Sequence, residues 1–484
     1  MNTEKAIFHG LLWKFCERFG VQGVQFVLQI ILARILDPEH YGMLSLMVIF
    51  VTLADVFIQK GFNTALVQNK DVQEEDYSSV FWVSLSVAGV LYSGLFMIAP
   101  WIAAFYEMPG LVAPFRVLCL VLFPGALNSI QVARISRQMD FKKIFVSNIA
   151  GITLSGVIGI VLAWQGTGLW ALVAQTLVNT SMVCIVMFFS AGWTIQFHCD
   201  FRRVKVLFSF GWKLLVSSLL DTLYQDLRSL VIGKIYASEV LAYYNRGKQF
   251  PQFIINAVNG TVQSVLLPAM SSRQDDKAKV KELMRNSVMI SSYLIFPMMA
   301  GLASVSTSLV TTLLTEKWLP CVPYLRIYCF TLAFYPVHTS NLQAINAMGR
   351  SDIFLKLELI KKGLGLGLLV IAVTCFDSPM AIALTGVVST LINCFVNAYP
   401  NKSLIEYSYV EQLKDILPSF SISMVMCLVV LSVEYLGFPS IVTLMLQIGV
   451  GVTIYVLLSA AFRLAPFCKL IKMMAGHFQA NKQR

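Results

Sequence analysis

Apolar stretches long enough to cross a bilayer recur at intervals of roughly 30 residues from Leu11 to Phe462, and polar positions collect in the short connections between them. A helix needs ~20 apolar residues to cross ~30 Å of hydrocarbon. The pattern therefore predicts about fourteen spans, over 9–36, 41–59, 79–105, 110–133, 143–165, 168–190, 207–236, 239–270, 280–314, 320–348, 351–376, 379–400, 413–435 and 439–463. The runs are continuous rather than alternating, which excludes a β-barrel. The class expected is an all-α integral membrane protein whose function lies within the bilayer.

Composition supports this pattern. Of 484 residues, 57% are hydrophobic and only 13% charged, too few charges for a water-facing globule. The charges are sorted by side. With a cytoplasmic N-terminus, inner connections carry Arg134, Arg137, Lys142 and Lys143, then Arg202, Arg203 and Lys205, then Arg273, Lys277, Lys279, Lys281 and Arg285, then Arg350, Lys402, Lys414 and the tail from Arg463. Outer connections hold mainly acids: Asp37, Glu39, Glu107, Glu316, Asp377 and Glu434, with Lys317 an exception. Arg34 and Lys234 fall at outer helix ends, where long side chains snorkel. Both termini are thus expected in the cytoplasm. The net charge of +11 follows from topology and attraction to the anionic inner leaflet, leaving no need for a nucleic-acid partner.

The first and seventh spans resemble each other. LLWKF and FGWKL share Trp13/Trp212 and Lys14/Lys213, and LARILDPEHYGML aligns with IGKIYASEVLAYY, pairing Arg34 with Lys234 and Glu39 with Glu239. An even number of spans between the repeats makes them parallel, related by a pseudo-twofold axis along the membrane normal. The domain organisation expected is a six-helix bundle over 1–200, a second over 201–405, and a helix pair with a basic tail over 406–484.

Helical geometry then selects candidate residues. On the first span Lys14, Glu17, Arg18, Gln22, Gln25 and Gln29 fall within an arc of roughly 140°. On the seventh, Lys213, Ser217, Asp221, Gln225 and Arg228 form a comparable stripe. Lipid penalises such faces, so each is expected to line a water-filled path. Asp55 in the second span and Arg246 with Lys248 in the eighth are further intramembrane charges, each costing at least ~2.5 kcal/mol at the bilayer centre. Asp55 pairing with Lys14 or Arg18, and snorkelling of Arg246 and Lys248, are the structural alternatives. His338, Asn341 and Asn346 form another polar stripe, which helix–helix hydrogen bonding explains nearly as well.

Other chemistry is excluded or weak. The acidic run DVQEEDY at 71–77 has no accompanying histidine and reads as a solvated turn and helix start. No phosphate-binding loop or dinucleotide glycine fingerprint occurs, so no cofactor is expected and any transport would draw on ion gradients, membrane potential or the substrate's own gradient. Ten scattered cysteines with no metal-ligand spacing read as small apolar residues. The N-terminal segment is a poor signal peptide, because Lys14, Glu17 and Arg18 interrupt its apolar region, and is expected to be retained as the first helix.

LARILDPEHYGMLSL near the first outer turn, GFNTALVQ after the second span, LLPAMSSRQDD after the eighth, FPMMAGL at 296–302, TEKW at 315–318 and GRSD at 349–352 occur in an order that resembles the Wzx-type polysaccharide flippases, particularly the colanic acid exporter branch of the multidrug, oligosaccharidyl-lipid and polysaccharide exporter superfamily. The resemblance implies a bacterial inner-membrane protein of two six-helix bundles plus two helices that moves undecaprenyl-diphosphate-linked oligosaccharide to the periplasmic leaflet for surface polysaccharide assembly. Membrane lipids, a polysaccharide polymerase and assembly proteins would be its partners. A cationic path suits that cargo, because Lys and Arg pair with a diphosphate. Arg18 is the first choice for that contact, helped by Lys14, Arg246 and Lys248; Gln22, Gln25 and Arg228 complete the expected substrate-binding set, and Glu17, Asp55 and Asp221 would hold or release the cations. A cation-coupled drug exporter would favour a mainly acidic and aromatic path, and a membrane glycosyltransferase or polymerase a large outer loop; neither fits as well.

Overall fold

The structure is a computed structural model that describes residues 20–59, 66, 73–138, 140–192, 196–197 and 200–471. Among these residues there is no strand. The helices are α1 (Gln22–Ile35), α2 (Pro38–Gln59), α3 (Glu74–Phe105), α4 (Val112–Leu118), α5 (Leu122–Arg137), α6 (Phe141–Trp164), α7 (Leu169–Ala191), α8 (Phe201–Ile235) and α9 (Ser238–Ser271). They continue as α10 (Lys277–Ser304), α11 (Ser306–Leu313), α12 (Val322–Ala333), α13 (Tyr335–Ala347), α14 (Ser351–Cys375), α15 (Pro379–Leu404), α16 (Tyr409–Ser432) and α17 (Ser440–Ala461).

Helix therefore occupies each expected interval. Among the described residues, nine helical segments are long and apolar enough to cross a membrane. The others fall short for visible reasons. Helix α14 carries Asp352, Lys356, Glu358, Lys361 and Lys362, α8 carries both acids and bases, and the interval 320–348 is divided at Phe334 between α12 and α13. The interval 280–314 is likewise divided at Val305.

The chain forms two compact units, Met1–Ala242 and Tyr243–Arg484. In the first, α6 and α7 form a tight antiparallel hairpin. A Cβ on Gly151 would lie 2.5 Å from Val183 and 3.0 Å from the Asn179 carbonyl, so only glycine admits this approach. Helix α1 packs on α6, Leu28 lying over Gly156, and Leu32, Leu36, Ala163, Ala171 and Leu172 bury one another. Helix α8 packs on α2 and α3. Where α2 meets the start of α9, a Cβ on Gly42 would fall 1.8 Å from the Ser238 carbonyl oxygen.

The acidic run opens α3 as expected, but Asp76 is buried rather than solvated. Gln73 and Asp76 form a reciprocal capping box, in which the Gln73 N–H donates to Asp76 Oδ2 at 2.8 Å. In the second unit, Tyr293, Ile422, Met426, Val430, Leu444 and Tyr455 join α10, α16 and α17 in one cluster.

Candidate functional site

Lys14, Glu17 and Arg18, and the side chain of Lys213, lie outside the described residues. The outer part of the first stripe is described. Gln25 is exposed and Gln22 and Gln29 are half-buried on α1, and further along the same helical face Leu32 and Ala33 are buried. Asp221 is exposed on α8 and Arg228 is half-buried. At the C-terminal end of α8, Lys234 Nζ lies 3.0 Å from Glu107 Oε1, donates to the Phe105 carbonyl at 2.6 Å and rests on the Phe105 ring. This pairing joins two charges that the sequence places on the same side of the bilayer.

Asp55 is half-buried on α2, where Gln59 Nε2, one turn along, donates to its Oδ2 at 2.5 Å. Gln59 in turn reaches a cavity of about 350 Å³ within the first unit. Asn128, Ser129 and Ser136 of α5 and Phe141 and Asn148 of α6 line it, with apolar side chains of α5, α6 and α7 completing the wall. Arg137 at the end of α5 and Lys142 and Lys143 in the first turn of α6 flank the connection beside it, bases that the charge pattern assigns to the cytoplasm.

In the second unit Arg246 and Lys248 have different settings. Arg246 is buried: its guanidinium lies 4.8 Å from the Trp318 ring centre and donates to Gln249 Oε1 at 2.7 Å. Gly247, the next residue, is pressed against Tyr324 and Leu325 of α12. Lys248 is half-buried. Arg246 thus has the satisfied environment of a packed cation, a cation–π contact and a charge-assisted hydrogen bond.

The stripe on α13 belongs to a buried amide network. Asn341 Nδ2 donates to Gln412 Oε1 at 2.8 Å, Gln412 Nε2 returns to Asn341 Oδ1 at 3.1 Å, and Asn401 Nδ2 donates to the same oxygen at 2.8 Å. His338 lies 3.3 Å from Asn397. Helices α13, α15 and α16 are thereby joined. Near the N-terminal ends of α10 and α16, Arg285 binds Asp415 through two hydrogen bonds of 2.8 and 2.7 Å, and Tyr407 donates to Asp415 at 2.7 Å. Burial and that carboxylate together push the Tyr407 phenol above its ordinary range. Lys361 pairs with Glu358 on α14.

Arg116, Arg326 and the Arg285–Asp415 pair escaped the sequence reading. Arg116 lies 4.0 Å from the Phe96 ring centre and donates to the Phe96 carbonyl, and Arg326 donates to Ser306 and Thr307. An arginine inside an apolar run was itself the available signal.

A family model described as "Polysaccharide biosynthesis protein" matches residues 31–323. The chain belongs to this family. As a member of the polysaccharide biosynthesis family it is similar along most of its length to several named proteins. It is 24% identical over 462 residues to the teichuronic acid biosynthesis protein TuaB of Bacillus subtilis, covering 94% of this chain and 96% of that one. It is 23% identical over 414 residues to the succinoglycan biosynthesis transport protein ExoT of Rhizobium meliloti, covering 86% and 82%. To the lipopolysaccharide biosynthesis protein WzxC of Escherichia coli it is 22% identical over 406 residues, covering 83% and 82%. Among solved structures, the lipid II flippase MurJ in an inward closed conformation superposes with a TM-score of 0.73 at 14% identity, over 96% of this chain and 100% of that one. An inward-facing multidrug resistance MATE transporter superposes with a TM-score of 0.62, over 81% of this chain and 99% of that one. The family member is thus a multi-pass helical membrane protein with the fold these transporters share.

Proposed function

We propose that this protein is a flippase that carries undecaprenyl-diphosphate-linked oligosaccharide across the bacterial inner membrane by alternating access, for surface polysaccharide assembly. The observation that carries the reading is similarity along most of the chain to proteins named for polysaccharide biosynthesis, one of them a transport protein, in a chain with the MurJ fold. It is a transporter rather than an enzyme, with both termini in the cytoplasm. Lys14 and Arg18 bind the diphosphate. Gln22, Gln25, Arg228 and Lys248 extend the polar path, and Arg246 holds α9 beneath Trp318. Glu17, Asp55 and Asp221 exchange these cations as the path opens to each side, while the polyprenyl tail stays in lipid. A polymerase and assembly proteins receive the product. The halves that move are the six-helix bundles over 1–200 and 201–405, with the last helix pair appended.

The test is leaflet-resolved measurement of lipid-linked oligosaccharide in cells depleted of the protein. Accumulation on the cytoplasmic side with synthesis intact is expected. An unchanged distribution, in a strain without redundant transporters, would overturn the proposal.

A further inference from the structure

Arg116 and Arg326, which the flippase reading leaves without a role, occupy equivalent positions in the two units. Arg116 lies on α4 and Arg326 on α12, each four residues beyond the first residue of its helix. They are 210 residues apart, and at that interval 111–122 and 321–332 share Val112 with Val322, Cys119 with Cys329 and Leu122 with Leu332 as well as the arginines. Burial repeats with identity. Phe115 and Leu325 are buried, as are Cys119 and Cys329, whereas Arg116 is half-buried and Arg326 exposed.

The contacts repeat too. Each guanidinium is held through Nε by the residue twenty positions earlier, on the preceding helix: Arg116 donates to the Phe96 carbonyl at 3.2 Å, and Arg326 to Ser306 Oγ at 3.0 Å. Phe96 and Ser306 are themselves 210 residues apart. The Phe96 ring centre lies 4.0 Å from the Arg116 guanidinium, and Thr307 Oγ1 accepts from Arg326 Nη2 at 3.1 Å. The Ser306 hydroxyl donates to the Ala303 carbonyl at 2.7 Å, which leaves its oxygen to accept from Arg326.

So anchored, each fork keeps unmatched donors. Of the five N–H groups of an arginine, Arg116 uses one and Arg326 two, so four and three have no acceptor among the described residues, and neither guanidinium there has a carboxylate within ion-pair distance. Glu107, the acid nearest to Arg116 in sequence, is paired with Lys234. The surroundings are those of a lipid-facing surface: on α3 Met97 is 74% and Trp101 75% exposed, and on α12 Phe330 is exposed one turn beyond Arg326. A cation on an apolar run is costly in lipid unless an anion or water meets it. A side chain that only snorkels follows the water freely, whereas these two are fixed in place from the preceding helix. The charge then selects the ligand. A metal ion is repelled and a neutral hydroxyl leaves the charge unmatched, while a phosphate presents oxygens in the spacing of the guanidinium fork. With no carboxylate beside either arginine to receive the amine of a zwitterionic head group, an anionic lipid fits best.

We infer that Arg116 and Arg326 are equivalent binding sites for the phosphate of an anionic phospholipid of the surrounding bilayer, one site in each unit. Both helices follow connections, carrying Glu107 and Glu316, that the charge pattern assigns to the outer side, so both lipids belong to that leaflet. The sites tie α3 to α4 and α11 to α12 at a fixed depth, and they do not depend on the identity of the cargo.

The experiment is native mass spectrometry of the full chain released from nanodiscs of phosphatidylglycerol and phosphatidylcholine in equal parts. The unmodified protein is compared with Arg116→Met, Arg326→Met, the double variant, Arg116→Lys with Arg326→Lys, and Arg273→Met as a control for an exposed arginine elsewhere. The unmodified protein should retain two phosphatidylglycerol molecules, preferred over phosphatidylcholine by roughly fivefold or more. Each single methionine variant should lose one of them, the double variant should lose the preference, the lysine pair should keep part of it, and Arg273→Met should keep all of it. The lysine pair, which retains both charges, keeps the test readable where a methionine variant folds poorly. An unchanged preference in the double variant, or an equal loss in Arg273→Met, overturns the sites. Displacement of the retained lipid by inorganic phosphate, or by undecaprenyl phosphate in preference to phosphatidylglycerol, overturns the assignment to a bilayer phospholipid.

Discussion

Asn401 Nδ2 donates to Asn341 Oδ1 at 2.8 Å, and the two side chains are buried where α13 meets α15. That oxygen also accepts from Gln412 at 3.1 Å, so one amide of α13 organises two neighbouring helices. In a bilayer-spanning bundle such bonds replace the hydrophobic drive that lipid does not supply. Asn341→Ala strips both amides of their partner and should destabilise by about 1–3 kcal/mol. A fall in thermal midpoint in detergent checks this. The double variant with Asn401→Ala should fall by less than the sum of the two single variants.

Gly42→Ala tests a different contact. Its Cβ would fall 1.8 Å from the Ser238 carbonyl oxygen, a backbone atom that cannot swing aside, whereas a Cβ on Gly94 meets nothing within 4 Å. Gly42→Ala should therefore lower folded yield and stability by roughly 1–3 kcal/mol, and Gly94→Ala should leave both unchanged. Membrane-fraction abundance and thermal midpoint are the readouts.

The helices were legible because crossing hydrocarbon demands an apolar run wherever it occurs, and nine of them among the described residues are long and apolar enough to cross a membrane. The division at Val305 was not, since the apolar pattern continues through it, whereas Pro336 in the first turn of α13 was an available signal for the division at Phe334. Nor was the partner set of Asn341: Asn401 and Gln412 lie 60 and 71 residues away, a separation that no local pattern encodes. For Arg246 the place within an apolar run was legible, but its burial against Trp318 was not, since it depends on a turn more than seventy residues later.

The inner connections can be placed by labelling. Position 135 is a poor reporter, because Ile135 is fully buried and a thiol there would resist reagents from either side. Lys142 and Asp275 are exposed in connections assigned to the cytoplasm, and Asp377 is exposed in one assigned outside. Lys142→Cys and Asp275→Cys should resist an impermeant maleimide in intact cells and react after permeabilisation. Asp377→Cys should react in intact cells. Labelling of Lys142→Cys or Asp275→Cys in intact cells would overturn the topology.

The Arg285–Asp415 pair of the second unit separates packing from charge. Arg285 makes two hydrogen bonds to Asp415, whose side chain is largely buried and also accepts from Tyr407. Removing Arg285 strands a largely buried carboxylate, whereas removing Asp415 leaves a half-exposed guanidinium that can turn to water, so Arg285→Ala should lower thermal stability more than Asp415→Ala. Circular dichroism melts of the purified variants provide the comparison.

Arg18 and Arg246 are both arginines within apolar runs of the sequence, yet different outcomes are expected of them. Arg246 lies against Trp318 with its charge shared with Gln249, so Arg246→Ala removes a desolvated cation–π contact of about 2 kcal/mol and should lower abundance together with export. Arg246→Lys, which keeps the charge on a flexible stem, should restore much of the abundance. Arg18 belongs to the polar stripe proposed to hold the diphosphate, so Arg18→Ala should abolish surface polysaccharide while membrane abundance stays near that of the unmodified protein. Quantitative immunoblotting of membranes beside surface-polymer assays separates the two. Normal polymer in Arg18→Ala would remove Arg18 from the cargo path, and normal abundance with lost export in Arg246→Ala would place Arg246 on it.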